Sequence, residues 1–171
     1  EEEQDLEAAE KYLQTALEVA NKFSIHDPRL VSSLEQLAQF YSKLGKHDTA
    51  SDYFHMLAKV IRSSHGRISP ESGHAYARLG FAYYNMGDYA AALICFRRSL
   101  SVHLSTAGRK TLTTIRASQN LALVLQAQKK HYAAFKFLSY ARSAALELLE
   151  EEHSIVLTLS VQLEAVTNSL K

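Results

Sequence analysis

The chain has 171 residues, 47% of them apolar and 22% charged, with a formal net charge of +1. That composition supports a continuous core and excludes a disordered chain, and no apolar run approaches the roughly 18–20 residues that a membrane-spanning helix needs. A single cysteine, Cys95, excludes an internal disulfide and favours a reducing compartment, where it is expected as a buried thiol.

From Asp5 to about Phe23, the residues Leu6, Ala9, Leu13, Ala16, Leu17 and Ala20 recur every three or four positions and predict an amphipathic helix. Its acidic opening, Glu1-Glu2-Glu3, suits a helix start through the macrodipole, but a solvated run is the better reason for it. With Glu1 in place of Met and no signal-like apolar region, the sequence reads as an excerpt of a longer protein. In the linker Ser24-Ile25-His26-Asp27-Pro28, Asp27 can cap the next helix and Pro28 fits its first position. That helix is expected to reach Leu44 and to stop at Gly45. The following one starts near Asp48 and turns Ala50, Tyr53, Phe54, Leu57 and Ile61 inward. Ser63 to Pro70 is the most loop-like segment of the chain.

The next stretch, Tyr76 to Val102, repeats the scheme as a helix hairpin. Leu79, Gly80 and Tyr83 share one face, a turn follows at Gly87, and Ala92, Phe96 and Leu100 share the next face. A shift of 42 residues superposes Leu37, Leu79 and Leu121, then Ala50, Ala92 and Ala134, then Phe54, Phe96 and Leu138. Gly45 and Gly87 likewise superpose on Lys129, which must then adopt a left-handed or otherwise altered backbone. A helical repeat of fixed period implies an all-α solenoid of antiparallel helix pairs, here about eight helices. The expected units are a half repeat at 4–23, repeats at 28–64, 70–106 and 110–150, and a half repeat or capping helix at 153–170. The face of the first helix that a missing partner would cover, around Leu6, Leu13 and Leu17, is expected to be open.

Tyr76, Leu79, Gly80 and Tyr83, followed by Gly87, Ala92, Phe96 and Leu100, resemble the tetratricopeptide repeat. The 42-residue spacing, with Leu34-Glu35-Gln36-Leu37-Ala38, Gln119-Asn120-Leu121-Ala122 and the His26-Asp27-Pro28 linker, is similar to the longer repeats of kinesin light chains and related adaptors. The ordinary tetratricopeptide repeat has a shorter period, roughly 34 residues, and the extra length here should lengthen helices or linkers by about two helical turns. The resemblance implies a right-handed superhelical solenoid and a protein-binding role, with the first helix of each pair lining a concave groove.

The first-helix residues that point away from the second helices are then candidate peptide contacts: Gln36, Gln39 and Lys43 in the first repeat, His74, Arg78, Phe81, Tyr84 and Asn85 in the second, and Arg116, Gln119, Asn120 and Leu123 in the third. Amide and guanidinium groups can hold a peptide backbone while Phe81, Tyr84 and Leu123 offer apolar anchors, which suits a short extended or helical segment. Chaperone-binding relatives clamp a terminal carboxylate with Lys, Asn and Arg. Arg78, Arg116 and Asn120 stand near such positions, but Glu35 replaces the first Lys and argues against that ligand.

The small net charge hides an asymmetry, because residues 1–58 carry eleven acidic and five basic groups and residues 59–116 carry two and nine. A partner segment of some acidic character is expected. Nucleic acid is disfavoured, since Arg97 and Arg98 fall on a second helix, away from the groove. Membrane insertion is not expected. No metal or catalytic motif occurs, and His47 and His131 are equivalent turn positions, so neither an enzyme nor a cofactor is expected. Cytoplasmic localisation is the expectation. The competing role is a structural or regulatory solenoid that packs within its own chain or self-associates through its ends.

Overall fold

The computed structural model describes residues 2–22, 24–25 and 27–170, with side chains from residue 6 onward. Glu1, the expected helix end at Phe23, linker residue His26 and Lys171 lie outside the described residues, as do the side chains of Glu2 and Glu3. Among the described residues there are eight α-helices and no strand: α1 Glu2–Ala20, α2 Pro28–Lys43, α3 His47–His65, α4 Pro70–Asn85, α5 Tyr89–Thr106, α6 Leu112–Ala127, α7 His131–Leu146 and α8 Ser154–Asn168. They form a right-handed solenoid of antiparallel pairs, in which each helix packs chiefly on its neighbours in sequence and α4 also meets α6.

The period is written into the helix starts. Pro28, Pro70, Leu112 and Ser154 stand 42 residues apart, as do His47, Tyr89 and His131. Asp27, Ser69, Thr111 and His153 precede the first set, and each side chain accepts a backbone N–H of the first turn that has no helical partner. Two linkers share a further device. Ser72 Oγ donates to the Gly66 carbonyl and Thr114 Oγ1 to the Gly108 carbonyl, both at 2.6 Å. Gly66 and Gly108 take φ of 89° and 87°, so the same left-handed corner returns the chain each time.

At the tight turns Gly45 and Gly87 take φ of 72° and 82°. Lys129, the non-glycine at the same place, is held at φ 58°. The loop expected from Ser63 is shorter than the sequence suggests. Ser63, Ser64 and His65 form the last turn of α3, where Ser64 Oγ donates to the Val60 carbonyl at 2.8 Å. Burial of Val60 and Ile61 against the core carries the helix past weak local propensities.

Helices α4 and α5 approach closely because α4 presents glycines seven residues apart. A Cβ on Gly80 would lie 2.7 Å from the Phe96 ring, and one on Gly73 would lie 2.7 Å from the His103 ring. Antiparallel α5 carries those two rings at the same seven-residue interval. The first helix is covered more than its sequence suggests. Leu13 and Leu17 pack toward Leu37, Tyr41 and Ala50, and Tyr41 donates its hydroxyl to Glu10 at 2.7 Å. Among the described residues the exposed large apolar groups of α1 are Leu6, Tyr12 and Val19.

Candidate functional site

The first helices α2, α4, α6 and α8 place their candidate residues by helical spacing alone, and the structure separates those residues into groups. Gln36, Gln39 and Lys43 are exposed on α2. Gln39 donates its amide to Glu35 at 2.9 Å and Gln36 to Ser32 at 3.4 Å, so both engage their own helix. Asn85 is exposed at the end of α4, and Leu123 is half-buried on α6. Tyr84 leans against Tyr89 at the start of α5, with ring centroids 5.3 Å apart.

Five of the candidates come together. His74 and Phe81 from α4 and Arg116, Gln119 and Asn120 from α6 line a cavity of about 500 Å³. Ala77, Leu112, Thr113 and Ala117 complete its walls, and α5 supplies a floor of Ser99 and His103. Among the described residues no carboxylate lines this cavity. Phe81 forms one wall by standing edge-on to Phe96, with centroids 5.0 Å apart.

A lateral ladder also joins successive first helices. Arg78 pairs with Glu35 at 2.5 Å, and Gln119 donates to Gln162 at 2.8 Å. Both contacts span 43 residues, one more than the period. The intermediate pair in that register is Ala77 and Asn120, where alanine offers nothing polar. Among the described residues the Asn120 amide therefore stays available to the cavity. Arg78, by contrast, is already engaged, and Glu35 is charge-compensated by it rather than standing alone at its end of the groove.

The floor lies outside the residues that the sequence singles out. Ser99 and His103 lie on a second helix, and both are almost fully buried, at 1% and 3% exposure. Ser99 Oγ has no hydrogen-bond partner among the described residues. His103 stacks obliquely beside His74, with ring centroids 4.8 Å apart. Burial pushes the His103 imidazole below its ordinary value, and the neighbouring His74 adds to the effect. The signal that could have found both is a comparison between repeats. At 42 residues before and after, Ser99 corresponds to Leu57 and Ala141, and His103 to Ile61 and Ala145.

The opposite side of the molecule holds a second cavity of about 450 Å³ between α3, α4 and α5, with Lys59, Arg62 and Arg98 among its lining residues. Cys95 lies there, buried, with its thiol pushed up to about 11 chiefly by desolvation, so it is protonated and unreactive at neutral pH. Among the described residues no group of three metal-ligating side chains occurs, and no helix is long and apolar enough to cross a membrane.

The sequence profile of the tetratricopeptide repeat matches residues 1–56 and again 29–105. Comparison with curated proteins finds no match. Among solved structures, BtubC (BKLC) from P. vanneervenii superposes with a TM-score of 0.85 at 18% identity, covering 99% of this chain and 68% of that one. A putative kinesin light chain from Podosopora anserina, with nearly identical TPR-like repeats, gives 0.83 at 16% identity over 99% of this chain and 81% of its own. The type III secretion translocator chaperone SycD of Yersinia enterocolitica gives 0.63 at 18% identity over 84% and 88%. At these identities the likeness concerns the fold.

Proposed function

We propose, from the premise that this chain belongs to the tetratricopeptide repeat family, that it is a non-catalytic adaptor domain that holds a segment of a partner protein along the face of its first helices. The observation that supports this best is the cavity between α4 and α6, where residues from two repeats converge. Its walls combine Phe81 and Leu112 with Arg116, Gln119 and Asn120. Amide and guanidinium groups there can hold backbone and polar groups of an extended or helical segment, while the apolar wall takes a side chain. The excess of basic groups over residues 59–116 favours a partner segment of some acidic character.

A second reading draws on the exposed apolar residues at the two ends, Leu6, Tyr12 and Val19 on α1 and Leu157 and Val161 on α8. In that reading the solenoid acts by packing within its own chain or by self-association. A peptide-display selection separates the two. A motif enriched by the native domain and lost in the Arg116→Glu, Asn120→Ala variant supports groove recognition. No enrichment by a folded protein that forms dimers in sedimentation, with dimers lost on Leu6→Ser, Val19→Ser substitution, supports the second.

A further inference from the structure

We propose that the cavity between α4 and α6 is a subsite for one carboxylate side chain of the bound segment, received on its floor by Ser99 and His103 and at its rim by Arg116 and Asn120. This rests on the groove reading above and adds the chemistry of one contact.

Repeat periodicity argues that the floor has a purpose beyond packing. Both neighbouring repeats fill the positions of Ser99 and His103 with apolar residues, Leu57 and Ala141 and then Ile61 and Ala145, all buried. Opposite His103 they carry Val31 and Ile115, whereas α4 has Gly73, which makes the space that the imidazole occupies. Three substitutions in one repeat thus place two polar groups where the fold otherwise uses hydrocarbon. Ser99 Oγ, in a residue 1% exposed, lines the cavity without a partner. Such a group carries an uncompensated desolvation penalty that an entering acceptor relieves.

The donor set selects the ligand. Among the described residues two hydroxyls, two imidazoles, two amides and one guanidinium line the space, the Gln119 amide already donating to Gln162, and no carboxylate competes for them. Ala77, Phe81, Leu112 and Ala117 match the methylene stem of an acidic side chain. Arg116 is the one fixed cation of the cavity among the described residues, which suits a single negative charge better than the nearly double charge of a phosphate.

The carboxylate also makes recognition proton-linked. Among the described residues the charged and titratable groups that line this cavity with His103 are His74 from α4 and Arg116 from α6, and α5 adds no other. In the free protein burial, and after it the neighbouring His74, disfavours the His103 imidazolium. An anion beside it favours the imidazolium, so binding takes up a proton and strengthens as pH falls through the bound-state value.

The test is a display selection in which one library position is varied among Glu, Gln and Leu, followed by fluorescence anisotropy on an enriched peptide and its Glu→Gln form. The acidic peptide is expected to bind roughly tenfold more tightly than its amide. Its affinity is expected to rise about three- to tenfold from about pH 8 to about pH 6. That rise should shrink in His103→Gln, and Ser99→Ala should weaken binding at both pH values. In NMR, the His103 imidazole should titrate at higher pH in the complex. An enriched motif indifferent to Glu against Gln, or unaffected by Ser99→Ala, overturns the subsite and leaves groove recognition standing. The absence of any enriched motif overturns both.

Discussion

Arg78 Nη1 lies 2.5 Å from Glu35 Oε1, so an ion pair fastens the first helices of two successive repeats. Both side chains remain partly exposed, at 41% and 26%, which limits the pair to at most about 1 kcal/mol of stability. Its larger effect is on the groove, because an acidic partner must displace Glu35 before it can use Arg78. Glu35→Gln is therefore expected to shift the denaturation midpoint only slightly and to tighten binding of acidic segments, as read by calorimetry. Unchanged or weaker binding would show that Arg78 faces no ligand. Arg78→Glu is a poorer probe, since it sets two carboxylates against each other.

Gly80 faces the ring of Phe96, a residue 1% exposed that has no room to retreat. Gly80→Ala gains about 1 kcal/mol in helix propensity and loses about 1–3 kcal/mol to overpacking. A net loss of about 1 kcal/mol is expected in urea denaturation, partly recovered by adding Phe96→Leu. Equal or greater stability in the single variant would mean that α4 and α5 can part at no cost.

His103 links stability to pH with a definite sign. Its folded-state value lies below the ordinary 6.5, because desolvation and His74 disfavour the imidazolium. The unfolded chain therefore binds the proton more readily, and this contribution is complete above about pH 6.5 and is lost as pH falls toward the folded value. Asp27, held at about 2 by its bonds to Arg29, acts in the same direction, but only at much lower pH. Melting temperatures of the native protein should decline between about pH 7.5 and pH 5.5 more steeply than those of His103→Gln. Parallel profiles would remove His103 from the account.

Lys129 holds φ at 58°, where its equivalents in the earlier repeats are glycines. The left-handed backbone costs a non-glycine residue on the order of 1 kcal/mol, offset in part by the greater unfolded-state freedom of glycine. Lys129→Gly is expected to raise stability by up to about 1 kcal/mol. A loss would show that the Lys129 side chain makes a compensating contact.

The helix pairs were legible because capping residues, prolines and turn glycines recur with the apolar stripe at one interval. Ser63 to His65 read as loop because their local preferences are weak, and tertiary burial one turn earlier overrode them. Direction on one helix, which selects the candidate residues, cannot reveal a contact between helices. Arg78 thus reads as free in the sequence, although its partner Glu35 stands 43 residues away. Ser99 and His103 lie outside the candidate set because that set draws on the first helices alone. Their polarity against apolar counterparts in the neighbouring repeats was present in the sequence all the same.

The central claim, that a partner segment lies across the cavity between α4 and α6, is tested most directly by mapping amide chemical shifts of the labelled domain as a selected peptide is added. The expected result is perturbation centred on His74, Phe81, Arg116 and Asn120, with α1 and α8 unmoved. Perturbation confined to Leu6, Tyr12, Val19, Leu157 and Val161 would contradict it and move recognition to the ends of the solenoid.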